Sequence, residues 1–252
     1  MVARAGDMPI TLSRALFRAA GRHRIETALV TVTILGLGLR CYRLGDRSLW
    51  YDEAATVRNA RDILQLPPTP GVGLLDMIAR ERVPPLYFIL VAPLYAVSSD
   101  DAVLRLASVV PGIATVPLLF LLVSRLFGPR EGLAAAGLLA VSPFHVYYSQ
   151  ELRPYSLFLL LSVILFLQAL RALRTGSGRH MAWLALTGAL GLYTHTFFVF
   201  PLLIGNLYFL LGWKAHRGFL RGWILAHVAL VVAAVPEILH AWHHVGKGNV
   251  RL

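Results

Sequence analysis

Two adjacent carboxylates stand just outside the first apolar stretch of the chain. Asp52 and Glu53 lie in the segment SLWYDEAATV, residues 48–57. A carboxylate at a membrane–water boundary can serve as a general base when its surroundings raise its pKa towards neutrality. It can also bind a divalent cation through hard oxygen ligands. The competing interpretation is helix capping, because acidic side chains are favoured at the start of a helix.

Two further segments carry candidate groups. In SPFHVYYSQELRPYSL, Glu151 and Arg153 lie between two apolar stretches. The arginine suits a phosphate and the acid suits a metal or a proton, although the two could equally form a structural ion pair. In GLYTHTFF, Tyr193 and His195 lie at an outer turn. The histidine is either a catalytic or metal-binding group or a hydrogen-bonded interfacial residue.

Arginines near the outer ends of apolar stretches are ambiguous. Arg80 and Arg82 precede two prolines and an apolar segment, which suggests a pocket for an anionic lipid headgroup. A solvated helix surface explains them equally well. Arg40 and Arg43, after the first apolar stretch, either bind such a group or snorkel to the interface.

The composition identifies an integral membrane protein. The chain has 252 residues, 57% of them hydrophobic and 15% charged, against about 25% charged in average soluble domains. Long apolar runs favour helices over a barrel. The net charge of +11 is clustered between these runs, which suits membrane topology and contacts with membrane lipids and argues against a nucleic-acid partner.

We expect an all-α, polytopic fold with about seven transmembrane helices in a single module over residues 1–252. Residues 1–24 form a cytoplasmic lead-in under the positive-inside rule, and residues 43–103 form a first outer loop with short interfacial helices. The expected spans are residues 25–44, 104–126, 132–149, 155–171, 181–195, 197–213 and 223–239.

The apolar segment between Pro85 and Asp100 decides this topology. It is short for a span and suits a re-entrant or interfacial helix. If it does not cross, the N-terminus and three later basic turns all fall in the cytoplasm, as the charge rule favours. The acidic residues and histidines then collect on the outer side.

Several segments together resemble a known class of enzymes. The chain contains, in order, SLWYDEAATV, VPPLYFIL, LRLASVVPGIATVPLLFLLVSRLFG, EGLAAAGLLAVSPFHVYYSQELRPYSL and LYTHTFF. They resemble the GT-C class glycosyltransferases that use polyprenyl-phosphate-sugar donors, nearest to family 39, the bacterial relatives of protein mannosyltransferases. The resemblance covers about residues 25–200.

This resemblance implies transfer of a single sugar from a polyprenyl-phosphate donor to a lipid, glycan or protein acceptor. The reaction would occur on the outer face of a bacterial inner (plasma) membrane. Asp52 is then the catalytic base or acceptor-orienting carboxylate, with Glu53 beside it. Glu151 takes the second acidic position, near a divalent metal ion or the donor phosphate.

The same resemblance makes Arg82 and Arg153 the donor-phosphate ligands, with Tyr193 and His195 as further site candidates. Two features depart from the family. Val83 replaces the lysine or histidine that many relatives carry before the proline pair, which shifts phosphate binding to Arg82. The chain is also short, so we expect an N-terminal portion that lacks the family's C-terminal part. A flippase for lipid-linked sugars and a non-catalytic truncated module remain alternatives.

Overall fold

The fold consists of helices throughout the residues described. The computed structural model describes the backbone of residues 10–64 and 84–246 and the side chains of residues 23–64 and 84–236. Its regular elements there confirm the all-α prediction. The helices are α1 (Ile10–Cys41), α2 (Tyr51–Leu64), α3 (Leu86–Val97), α4 (Asp101–Leu126), α5 (Pro129–Val141), α6 (Pro143–Gln150), α7 (Tyr155–Thr175), α8 (Gly178–Leu192), α9 (Val199–Leu211), α10 (Trp213–His216) and α11 (Leu220–Gly246).

Three helical segments in the described part are long and apolar enough to cross a membrane. They are Asp101–Leu126, Tyr155–Thr175 and Trp213–Pro236, so the count of seven spans is not confirmed. The expected span 132–149 is instead two helices, α5 and α6. Pro143 cannot donate a backbone hydrogen bond, and the Ser142 side chain caps α6 by accepting one from a following amide.

Helix α3 is short, as expected for a segment that does not cross. Its 12 residues extend for about 18 Å, whereas the apolar core of a bilayer is about 30 Å thick. Tyr87, Phe88, Val91 and Ala92 are buried. Because α2 packs against α3 and α3 packs against α4, both short helices between α1 and α4 are fixed to the helical core.

Helix α4 is central, since it packs against α1, α3, α5, α6 and α7. Its N-terminus is capped by Asp100, whose side chain accepts hydrogen bonds from the amides of Ala102 and Val103. The helix therefore connects the short helices that precede it with the opposite end of the bundle.

The Arg40 side chain connects α1 to the break between α5 and α6 through hydrogen bonds. It is fully buried and donates hydrogen bonds to the carbonyl of Ala140 at 3.0 Å and to Nδ1 of His145 at 2.6 Å. A cation at a helix C-terminus satisfies free carbonyls and the helix dipole. Arg40 therefore does not snorkel, whereas Arg43 is exposed and pairs with Asp46.

Candidate active site

The first turn of α2 carries both adjacent carboxylates. Glu53 accepts a hydrogen bond from the backbone N–H of Trp50 at 3.3 Å, as the acid of a capping box does. The capping interpretation thus accounts for one of its contacts. Glu53 is 1% exposed, whereas the Asp52 side chain is 37% exposed. The two neighbours therefore occupy very different environments.

Glu53 uses its full capacity to accept hydrogen bonds. Arg105 on α4 donates from Nε to Oε1 at 3.0 Å and from Nη2 to Oε2 at 2.9 Å. The amide of Leu152 donates to Oε1 at 2.7 Å. With the Trp50 amide, each carboxylate oxygen has two donors, which fills its lone pairs. Glu53 therefore joins α2, α4 and the loop before α7.

Arg105 also donates hydrogen bonds to backbone carbonyls. It is buried, and its Nη1 donates to the carbonyls of Leu44 and Arg47, both at 2.8 Å. These bonds fix the turn that follows α1. Sequence reasoning missed Arg105 because it lies within an apolar stretch taken as the start of a span. The available signal was the charge itself, since an arginine in such a stretch is costly and usually has a specific partner.

Asp52 lies beside Arg153. Nη2 of Arg153 is 3.8 Å from Oδ2 of Asp52, and its Nη1 donates to the Asp52 carbonyl at 3.5 Å. The guanidinium also lies 5.9 Å from the centre of the Tyr155 ring. Its Nε–H is buried and has no hydrogen-bond partner among the residues described. Arg153 therefore has a buried donor that no described residue uses.

Buried hydroxyl groups fix the backbone around Arg153. Ser108 on α4 donates from Oγ to the Arg153 carbonyl at 3.0 Å, and its Oγ is also hydrogen-bonded to the hydroxyl of Tyr87 on α3. Ser156 donates to the Ser108 carbonyl at 2.8 Å. The short helix α3 thus helps to position the candidate phosphate ligand.

The buried carboxylates have opposite pKa shifts. Burial raises the pKa of Glu53, but the hydrogen bonds from Arg105 and Leu152 more than offset it, and the pKa lies below its ordinary value. Burial raises the pKa of Glu151, and the nearby carboxylate of Glu53 adds to the rise, against a hydrogen bond with Tyr147. Glu151 is therefore the more easily protonated of the two.

Tyr193 and His195 have different surroundings. His195 lies on the Arg153 side, with its ring centre 6.1 Å from that of Tyr155. Burial lowers the pKa of His195, and the charge of Arg153 lowers it further. The Tyr193 hydroxyl donates to the carbonyl of Ala233 on α11 at 3.0 Å. The backbone carbonyl of Tyr193 accepts a hydrogen bond from the amide of Leu86 at 2.9 Å. Tyr193 therefore links α3 to α11.

A cavity of about 660 Å³ opens beside Glu53. Glu151, Arg47, Trp50 and Tyr147 also line it. Trp50 and Tyr147 are each about half exposed. Aromatic faces next to a few convergent polar groups suit a ligand with apolar surfaces and hydroxyl groups.

The described side chains do not fit a divalent metal ion. Among them, no group of three or more His, Cys, Asp or Glu could hold one, and Glu53 has no lone pair left. The metal expected from the sequence stays a prediction. Arg80 and Arg82 lie outside the described residues.

Comparison with known proteins identifies the family. Residues 82–242, more than half of the chain, match the family described as dolichyl-phosphate-mannose-protein mannosyltransferase. The match includes Glu151, Arg153 and His195 and begins after Asp52 and Glu53. A search of individual curated proteins found no match. The family points to a membrane glycosyltransferase of the mannosyltransferase type, in agreement with the apolar helices. The chain belongs to the dolichyl-phosphate-mannose-protein mannosyltransferase family.

Proposed function

We propose that this chain is a GT-C class, family 39 glycosyltransferase that moves one sugar from a polyprenyl-phosphate donor to a hydroxyl group of an acceptor. The acceptor would be a lipid, a glycan or a protein. The family supports a lipid-linked sugar donor in general. The active site would face the outside of a bacterial inner membrane, with the N-terminus in the cytoplasm, because the basic turns then obey the positive-inside rule.

The observation that carries this proposal is the 3.8 Å approach of the Arg153 guanidinium to the Asp52 carboxylate. Transfer from a lipid phosphate needs a cation beside the leaving group and a base beside the acceptor hydroxyl. The Asp52 carboxylate makes one long contact and is partly exposed, so an acceptor hydroxyl can reach it. Glu53 is saturated and acts as a positioning residue through Arg105.

The reaction would be a single displacement. The acceptor oxygen attacks the anomeric carbon as the bond from that carbon to the phosphate oxygen breaks, and the configuration inverts. The acceptor proton passes to Asp52, and the lipid phosphate departs with the bonding electron pair. Arg153, with Arg82, would stabilise the charge on that phosphate. Base catalysis contributes about 10²–10⁴-fold, and one positioned donor to a developing charge about 10²–10³-fold.

The cavity beside Glu53 would hold the hydroxyl-rich part of the substrates. Trp50 and Tyr147 offer ring faces, and the raised pKa of Glu151 suits a group that exchanges hydrogen bonds with hydroxyls. His195 would border the site from the Arg153 side. Every step above uses side chains of the chain itself.

The test is a transfer assay with the full-length protein in liposomes. Labelled sugars would be supplied as polyprenyl-phosphate-linked and as nucleotide-linked donors, with magnesium or manganese or with a chelator. We expect a glycoside product with the lipid-linked donor and none with the nucleotide-linked donor. NMR of this product should show an inverted anomeric configuration. Products from a nucleotide sugar, or a retained configuration, would contradict the proposal. Movement of the lipid-linked sugar across the bilayer without any glycoside product would support a flippase instead.

A further inference from the structure

The end of the bundle opposite Asp52 carries a concentrated positive charge. Arg105 and Arg125 are twenty residues apart on α4, which corresponds to about 30 Å along a helix, the thickness of a bilayer core. Arg125 lies close enough to Arg171 and Arg174, at the end of α7, for their charges to repel. Nη2 of Arg174 donates to the Arg125 carbonyl at 3.0 Å. We name Arg125, Arg171 and Arg174 the basic rim.

The basic rim has almost no acidic neighbours in the sequence. Glu131 is the only acidic residue between Asp101 and Glu151, and residues 152–236 contain none. Glu131 lies against Gly128 at the turn between α4 and α5. Among the described side chains, none of the three rim arginines forms an ion pair with a carboxylate. An external anion would therefore relieve their mutual repulsion.

An apolar groove adjoins the basic rim. It has a volume of about 170 Å³ and lies between α4, α7 and α9. Leu122, Leu126, Phe166, Leu170, Ile204 and Tyr208 line it. Leu170 and Arg174 are four residues apart, and Leu122 and Arg125 three apart, so each pair shares a helix face. Arg125 and Arg174 thus lie within one turn of the apolar lining.

We propose that the basic rim and the apolar groove together bind one anionic phospholipid, with its phosphate on the arginines and an acyl chain in the groove. Arginine guanidinium groups bind phosphate oxygens in pairs of hydrogen bonds. The groove offers an acyl chain walls of leucine, isoleucine and aromatic side chains. This site is separate from the donor site by the length of α4 and does not depend on the proposed reaction.

Charge complementarity distinguishes this site from a general topology signal. Arginines that only set orientation need to lie in the turns, with no defined relation to a groove. Here two of them belong to the last turns of α7 and one to the last turn of α4. Arg125 and Arg174 lie within one turn of residues that line the same groove, and Arg174 bridges the two helices through its hydrogen bond.

The test is native mass spectrometry of the full-length protein in detergent, titrated with phosphatidylglycerol or with phosphatidylcholine of the same acyl chains. We expect the first phosphatidylglycerol to bind at least about fivefold more tightly, since each arginine near a headgroup contributes about that factor. The double variant Arg171→Gln/Arg174→Gln should remove this preference. The exposed pair Arg217→Gln/Arg221→Gln is the matched control and should preserve it.

A second variant tests the groove without changing charge. A Cβ at Gly205, which lines the groove, would meet nothing within 4 Å, so Gly205→Leu fills the space and should fold. It should weaken binding of both lipids severalfold. Gly137→Leu, also in open space but on α5, is its control. Equal binding of the two lipids, an equal loss of preference in the Arg217/Arg221 control, or an unchanged affinity in Gly205→Leu would each overturn the proposal.

Discussion

Arg105 donates one hydrogen bond to each carboxylate oxygen of Glu53, at 3.0 and 2.9 Å, and both side chains are buried. The pair connects the first turn of α2 to α4. Through the Leu152 amide it also connects α2 to the loop that carries Arg153. The neighbouring carboxylate of Asp52 is thereby held at a fixed place beside Arg153. Glu53 thus fixes the position of α2, whereas the Asp52 carboxylate is partly exposed and makes one long contact.

Glu53→Gln should strongly destabilise the protein. The substitution keeps the size of the side chain but leaves Arg105 buried without its counter-charge, and breaking one side of a buried pair costs about 3–5 kcal/mol. Thermal unfolding in detergent, followed by tryptophan fluorescence, measures the effect. Asp62→Asn, near the end of the same helix, is the control and should change the midpoint little. Equal midpoints for Glu53→Gln and wild type would show that the pair is not structural.

The stability that Glu53 provides should depend on pH. Because the pKa of Glu53 is lower in the folded protein than its ordinary value of 4.5, its contribution is fully present above pH 4.5. It is lost as the pH falls through the lower, folded value. The difference in midpoint between wild type and Glu53→Gln should therefore shrink on acidification. A difference that stayed constant from pH 7 to pH 3.5 would contradict the assigned direction.

Glu151→Gln should behave in the opposite sense. The folded pKa of Glu151 is raised by burial and by its neighbouring carboxylates. Its favourable contribution is therefore present below pH 4.5 and is lost as the pH rises through the folded value. At pH 7 the variant should unfold at a higher temperature than wild type, and the gain should vanish near pH 4. A variant less stable than wild type at pH 7 would indicate that the ionised acid is needed by the fold.

Gly112→Ala should separate α4 from α6. A Cβ at Gly112 would lie 2.8 Å from Cβ of Ser149, and overpacking of this kind costs about 1–3 kcal/mol. Gly137→Ala is the matched control, because its Cβ would meet nothing within 4 Å. It should be neutral or stabilising by up to about 1 kcal/mol. The unfolding midpoint should fall below that of wild type in Gly112→Ala and should stay equal or rise in Gly137→Ala. A higher midpoint in Gly112→Ala would contradict the close approach of the two helices.

The helices near the site could be predicted from local pattern, and their contacts could not. The acidic first turn of α2 and the shortness of α3 are visible in the sequence. The partners of Glu53 are not, because Arg105 and Leu152 are 52 and 99 residues away along the chain. Sequence alone therefore treated Asp52 and Glu53 as one pair, whereas burial separates them into an exposed carboxylate and a saturated one.

The predicted spans show the limit of hydropathy. Residues 132–149 are apolar throughout most of their length, yet Ser142 and Pro143 divide them into two helices. The carbonyls freed at the break are bound by Arg40, a residue on another helix. Hydropathy averaged along the sequence reports the length of an apolar stretch. It does not report that Pro143 lacks a backbone donor, or that Arg40, a hundred residues away, binds the Ala140 carbonyl.

The most direct test of the central claim compares Asp52→Asn with Asp62→Asn. Both carboxylates lie on α2, with side-chain exposures of 37% and 34%, and both have an arginine nitrogen nearby, at 3.8 and 3.9 Å. Sugar transfer from a polyprenyl-phosphate donor and equilibrium binding of that donor would be measured for each. We predict that Asp52→Asn loses about 10²–10⁴-fold in turnover and keeps donor binding, while Asp62→Asn matches wild type. Wild-type turnover in Asp52→Asn, or an equal loss in Asp62→Asn, would contradict the assignment of Asp52 as the base.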